Sequence, residues 1–152
     1  MLKIFTNSPE ETYKLGEKIA KLLIEGIVIC LQGDLGAGKT LFVQGLAKGL
    51  GISEEVTSPT FALLNIYQGE KTIYHFDLYR LDYQEELYDI GFYEYIERDD
   101  GVTIIEWPDK FQDELPQEYL LLKISRTSNN DERLIEISSN GEKYNKILEE
   151  LK

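Results

Sequence analysis

Eight consecutive residues, Gly33-Asp34-Leu35-Gly36-Ala37-Gly38-Lys39-Thr40, carry the most specific chemistry in this chain. They satisfy the Walker A pattern, in which glycines let successive backbone N–H groups turn inward and cradle phosphate oxygens. A helix that begins at the end of such a loop adds its positive end to the same place. Within the pattern, Lys39 reaches the β- and γ-phosphates as a cation, and the Thr40 hydroxyl is placed to ligate magnesium. The expected ligand is a nucleoside triphosphate with its metal.

Such a site needs a further carboxylate, held at the C-terminal end of a neighbouring strand, to bind the metal directly or through water. Asp77 and Glu106 both qualify. Glu106 ends the apolar run Val102-Thr103-Ile104-Ile105, where a parallel sheet delivers residues to its ligand crevice. Asp77 lies in Tyr74-His75-Phe76-Asp77-Leu78-Tyr79-Arg80, whose alternation puts His75, Asp77 and Tyr79 on one face; a solvent-facing polar row is the alternative for that set. His75 is the sole histidine and is read as a structural hydrogen-bonder without chemistry of its own. Guanine-reading P-loop proteins carry Asn-Lys-x-Asp, and Asn145-Lys146-Ile147-Leu148 lacks the acid, so ATP is expected over GTP. In Thr57-Ser58-Pro59-Thr60-Phe61, Pro59 forces Ser58 to be extended, and two threonine hydroxyls become available to a γ-phosphate or metal. This segment reads as a switch that orders on triphosphate or as a plain turn.

The elements that must hold these groups are visible in the hydrophobic pattern. Ser8, Pro9 and Glu11 form a capping-box signature before Leu15, Ile19, Leu22 and Leu23 at helical spacing, and Gly26 stops that helix. The β-branched run Ile27–Gln32 predicts a central strand covered on both faces, leading straight into the glycine loop. Leu41, Phe42, Leu46, Ala47 and Leu50 then form the stripe of a helix closed by Gly49 and Gly51. Strands over about Ala62–Tyr67 and Thr72–Tyr79 flank a hairpin loop at 68–71. Further strands follow at Val102–Glu106, Tyr119–Ser125 and Arg133–Ser138, with a last helix from about Gly141. The expected fold is an α/β, P-loop NTPase-like sheet, parallel at its centre and antiparallel at its edges, with helices on both faces. The aromatic-rich stretch 87–95 reads as core rather than as a partner surface.

Composition narrows the class. At 152 residues, 42% apolar, the chain suits one domain spanning 1–152. It contains no continuous apolar run near the roughly 20 residues of a membrane-spanning helix and no apolar signal region at Met1–Pro9, so a soluble cytoplasmic protein is expected. The single cysteine, Cys30, sits in the apolar run and reads as a buried small hydrophobe. A net charge of −12 opposes binding to a phosphate backbone.

Taken together, Gly33–Thr40, Thr57-Ser58-Pro59-Thr60-Phe61, His75-Phe76-Asp77-Leu78-Tyr79-Arg80 and Glu106-Trp107-Pro108 resemble the TsaE family, in order and spacing over nearly the whole chain. That family is the ATPase component of the bacterial machinery that makes threonylcarbamoyladenosine in tRNA, working with the TsaD and TsaB proteins. The resemblance implies that Gly33 and Gly36, Ala37, Gly38, Lys39, Thr40 and Leu41 bind ATP. It further implies that Thr40 and Glu106 bind magnesium, that Thr57–Thr60 act as the switch, with Thr60 at the nucleotide, and that Trp107 lies beside it. Pro9 and Arg133 would also approach ATP, and Lys39, Asp77 and Glu106 would carry catalysis. Leu41 stands where the family commonly has threonine, a change expected to affect helix packing more than phosphate binding. The implied activity is a magnesium-dependent ATPase, weak alone and raised by its partners, which must supply the tRNA contact that this acidic chain opposes. A small-molecule kinase and a non-enzymatic nucleotide switch remain as alternatives, and phosphate release without an acceptor discriminates among the three.

Overall fold

A computed structural model of the chain describes residues 1–57 and 63–152. Among these residues the order of elements is β1 (Leu2–Thr6), α1 (Pro9–Ala20), β2 (Ile27–Gln32), α2 (Lys39–Gly49), β3 (Leu64–Tyr67), β4 (Thr72–Asp77), α3 (Gln84–Asp89), α4 (Phe92–Ile96), β5 (Gly101–Glu106), a 3-10 segment (Pro108–Glu114), β6 (Tyr119–Arg126), β7 (Arg133–Asn140) and α5 (Glu142–Leu151). The strands form one sheet in the order β1-β7-β6-β2-β5-β4-β3. Strands β6, β2, β5 and β4 run parallel, while β3, β7 and β1 pair antiparallel at the edges, as the pattern predicted.

The sheet is covered on both sides, which is why Ile27 to Leu31 are all buried although they alternate in direction. On one face Leu15 and Ile19 of α1, Phe42 and Leu46 of α2, and Tyr144 and Ile147 of α5 pack on Ile29, Ile104, Leu122 and Ile135. On the other, Leu87 of α3, Phe92 of α4 and Phe111 pack with Cys30, Phe76 and Ile105. Cys30 is fully buried, and burial pushes its thiol up to about 12, so it behaves as a small hydrophobe. The stretch 87–95 is accordingly split: Leu87 and Phe92 are core, whereas Tyr88 is 67% exposed and stacks on Tyr93.

Several boundaries differ from the sequence reading, each for a local reason. Helix α1 starts where predicted, with Pro9 in its first turn and the Ser8 hydroxyl accepting the Glu11 amide at 3.2 Å, but Glu11 caps the amide of Asn7 rather than that of Ser8. The helix ends at Ala20, leaving Leu22 and Leu23 in the turn beyond it. Strand β4 stops at Asp77 because the Asp77 side chain accepts the Tyr79 amide at 3.0 Å and turns the chain. Strand β3 begins at Leu64, and the earlier part of the expected strand falls partly outside the described residues. The edge strand β1 was not anticipated.

Helices α1 and α2 cross so closely that a Cβ on Gly45 would collide with the backbone oxygen of Tyr13. That close approach fixes α2 against α1 and, with it, the loop at the N-terminus of α2.

Candidate nucleotide site

The loop between β2 and α2 has the conformation that its glycines permit. Gly36 (φ +78°) and Gly38 (φ +113°) both lie in the left-handed region, and Gly38 caps α2 with no side chain bonded to the first-turn amides. The start of α2 thus carries no side-chain cap, the arrangement in which helix N-termini accept anions. Two arginines hold the loop from the β6–β7 side: Arg126 Nη2 donates to the Leu35 carbonyl at 3.3 Å, and Arg133 Nε to the Ala37 carbonyl at 2.9 Å.

Lys39 opens α2 and folds back across the loop. Its Nζ donates to the Gly33 carbonyl at 2.6 Å, lies 3.9 Å from Glu106 Oε1 and sits 3.9 Å from the centre of the Trp107 ring. Burial lowers the lysine pKa, an effect opposed by Glu106, Asp77, Asp109 and Asp34. Trp107 takes up this stacking position with a left-handed backbone (φ +59°), a strained conformation of the kind that collects at working sites. Tyr79 packs on its ring at 4.7 Å between centroids.

The two candidate carboxylates stand side by side. In the parallel ladder Asp77 pairs with Glu106, which in turn pairs with Leu31 just before the glycine loop. Burial raises the Asp77 carboxyl above its usual range; the Tyr79 amide lowers it and the charge of Glu106 raises it further. Glu106 is almost completely buried and His75 completely so, and His75 Nε2 meets Glu106 Oε2 at 2.5 Å. The solvent-facing alternative for the row His75, Asp77 and Tyr79 therefore fails for its first two members: His75 is core, Asp77 lines the site, and only Tyr79, past the end of β4, is largely exposed.

Two cavities meet along the loop. One, of about 280 Å³, is lined by Leu35, Gly36, Gly38, Lys39, Thr40, Leu41, Asp77, Glu106 and Trp107, which brings together most of the residues singled out by sequence. The other, of about 60 Å³, shares Gly38 and Leu41 with the first and is walled by Pro9, Ala37 and Arg133 together with Ser8, Thr12, Asn130 and Asp131. Pro9 and Arg133, 124 positions apart in sequence numbering (133 − 9), thus line this second cavity together. Gly33 lines a further cavity with Asp34, Ala37 and Trp107, and Thr60 is outside the described residues, as is most of the expected switch. At the start of that segment, the Thr57 amide donates to the Tyr67 hydroxyl at 3.2 Å. Sequence reasoning missed Arg126 and gave His75 no role at the site. The alternation of β4, which placed His75 on the face of Asp77, was the available signal.

Residues 6–135 match the family model described as "Threonylcarbamoyl adenosine biosynthesis protein TsaE". The chain is 42% identical over 151 residues to the tRNA threonylcarbamoyladenosine biosynthesis protein TsaE of Bacillus subtilis, covering 99% of this chain and 93% of that one. It is 48% identical over 116 residues to the protein of the same name from Treponema pallidum, covering 76% of this chain and 85% of the relative. The crystal structure of Bacillus subtilis YdiB superposes with a TM-score of 0.86 at 38% identity, over 99% of this chain and 93% of that one. The chain belongs to the TsaE family.

Proposed function

We propose that residues 1–152 form one P-loop domain that binds ATP with magnesium and hydrolyses it, in the biosynthesis of threonylcarbamoyladenosine in tRNA. The observation that supports this most directly is the cavity in which Lys39, Thr40, Asp77 and Glu106 converge at a helix N-terminus that no side chain caps. The donor set fits magnesium, which takes hard oxygen ligands and is held by one or two carboxylates plus substrate phosphates. Thr40 and Glu106 would hold the ion, and magnesium would neutralise charge across the β- and γ-phosphates. Lys39 exchanges the Gly33 carbonyl for phosphate oxygens, and the loop amides bind the equatorial charge. Asp77, beside Glu106, orients the attacking water. Pro9, Leu41 and Arg133 border the remainder of the nucleotide, with Trp107 closing the phosphate end.

The partners in this reading are TsaB and TsaD, and the protein works in the cytoplasm. No helix among the described residues is long and apolar enough to cross a membrane. The net charge of −12 leaves the tRNA contact to the partners. Hydrolysis is slow alone because a bound nucleotide still needs an ordered water and added positive charge at the γ-phosphate. The test is phosphate release by this protein alone, with each partner and with both. A rise only in the complete mixture is expected; equal rates in all four mixtures, with complex formation demonstrated, would refute partner activation.

A further inference from the structure

His75 pairs with Ile104 of β5, two residues before Glu106 on the same face, the diagonal from which an imidazole reaches a glutamate in the neighbouring strand. Its ring is completely buried, with Nε2 on Glu106 Oε2, and Nδ1 has no hydrogen-bond partner among the described residues. With Glu106 ionised, Nε2 donates this hydrogen bond, because a carboxylate oxygen can only accept. This contact occupies one glutamate oxygen and leaves the other, Oε1, 3.9 Å from Lys39 Nζ. Buried polar pairs of this kind are often replaceable by apolar side chains without loss of stability, so stability gives little reason for the pair.

We propose that His75 is a positioning residue: by holding Oε2 it fixes the rotation of the Glu106 carboxylate and presents Oε1 alone to the metal. The proposal rests on the magnesium–ATP reading above. Hydrogen-bond partners of metal-binding carboxylates typically change metal affinity about 10-fold to 100-fold when removed.

The experiment uses the full chain, an ATP analogue that is not hydrolysed, and Mn²⁺, which suits the same oxygen donors as magnesium, with free Mn²⁺ followed by electron paramagnetic resonance. His75→Phe is expected to weaken Mn²⁺ binding to the protein–nucleotide complex by about 10-fold, while nucleotide affinity in EDTA stays at the wild-type value. His75→Gln, whose amide nitrogen lies the same number of bonds from the backbone as Nε2, should restore Mn²⁺ affinity; His75→Asn, which is one bond shorter, should not. If His75→Phe does not fold, the Gln and Asn pair carries the same contrast. Wild-type Mn²⁺ affinity in the Phe or Asn variant overturns the proposal, and so does an equal loss in Gln and Asn, or a parallel loss of metal-free nucleotide affinity, which would mark a packing defect. Absence of nucleotide-dependent Mn²⁺ binding in the wild type would instead bring down the magnesium–ATP reading, and this proposal with it.

Discussion

The glycine loop and the carboxylate wall opposite it meet in one cavity but are built in different ways. The loop is eight contiguous residues whose backbone would do the binding in the proposed reading, and its shape follows from glycine φ values and the start of α2. The wall is Asp77 and Glu106 from two strands 29 positions apart (106 − 77), brought level only by the register of the parallel ladder and backed by His75. Contiguous parts can be read from residue types alone, whereas assembled parts depend on which strands become neighbours. The difference also divides the labour. The loop should set how tightly the nucleotide is held, and the wall should set what the metal does for it.

The largest expected effects test that division. Lys39→Ala removes the only side-chain cation among the described residues that line the cavity, and loss of about 100-fold to 1,000-fold in turnover is expected, the scale seen when one transition-state charge donor is lost. Nucleotide affinity should fall with or without magnesium. Glu106→Gln should abolish the magnesium-dependent part of both affinity and turnover while leaving metal-free nucleotide affinity nearly unchanged. Calorimetry in EDTA and in magnesium separates the two patterns, and the same pattern in both variants would erase the distinction between loop and wall.

The legibility of the sequence follows the same line. The loop, its helix, the central strand β2 and the strand ending in Glu106 were all evident, because each is encoded by neighbours in the chain and by burial on consecutive positions. The edge strand β1 was not, since five residues at an edge bury only part of one face and leave Phe5 exposed. Short helices α3 and α4, separated by Gly91, leave too few turns for a helical period to stand out among aromatics. At the site, Glu106 and Asp77 could be named but not ranked by strand position, and their adjacency is a property of register. The role of Arg133 entered through family resemblance. Its contact with the Ala37 carbonyl spans 96 positions (133 − 37), a distance no local pattern encodes.

Arg133 provides an intermediate case, a side chain from β7, two strands away from β2, that supports the contiguous loop. Its Nε bonds the Ala37 carbonyl, and its Nη1 bonds the carbonyls of Asn130 and Glu132 at 2.7 and 2.9 Å. A lysine has one compact head and cannot serve both places at once. Arg133→Lys should therefore weaken nucleotide binding by about 10-fold, the value of one hydrogen bond to a charged group. The loss should appear equally in EDTA and in magnesium, which places Arg133 with the loop. A loss confined to magnesium would move it to the wall.

The smallest effect concerns stability and has the opposite sign. Burial and the neighbouring Glu106 hold the Asp77 carboxyl above its usual range in the folded protein, so its ionised form is disfavoured there relative to the unfolded chain. Below about pH 3.9, the usual aspartate value, the side chain is protonated in both states and contributes no penalty. Between that value and the elevated folded one only the unfolded chain is ionised, so wild-type stability falls across this window and the loss is complete once pH has passed the folded value. Asp77→Asn does not titrate, and its amide oxygen can still accept the Tyr79 amide. Near neutral pH the variant should melt higher than wild type by a few degrees at most, about the shift produced by 1 kcal/mol in a chain of this size, and the gap should close on acidification. Magnesium and ATP should reverse the order, because a ligand that binds the folded state stabilises it in proportion to affinity, and the charge of bound magnesium favours a carboxylate at position 77 over an amide. Thermal melts of both proteins across pH, with and without magnesium–ATP, test this directly. A variant less stable than wild type at neutral pH without ligand would show that the Asp77 charge is favourable in the free protein, and that the wall is not held under electrostatic strain.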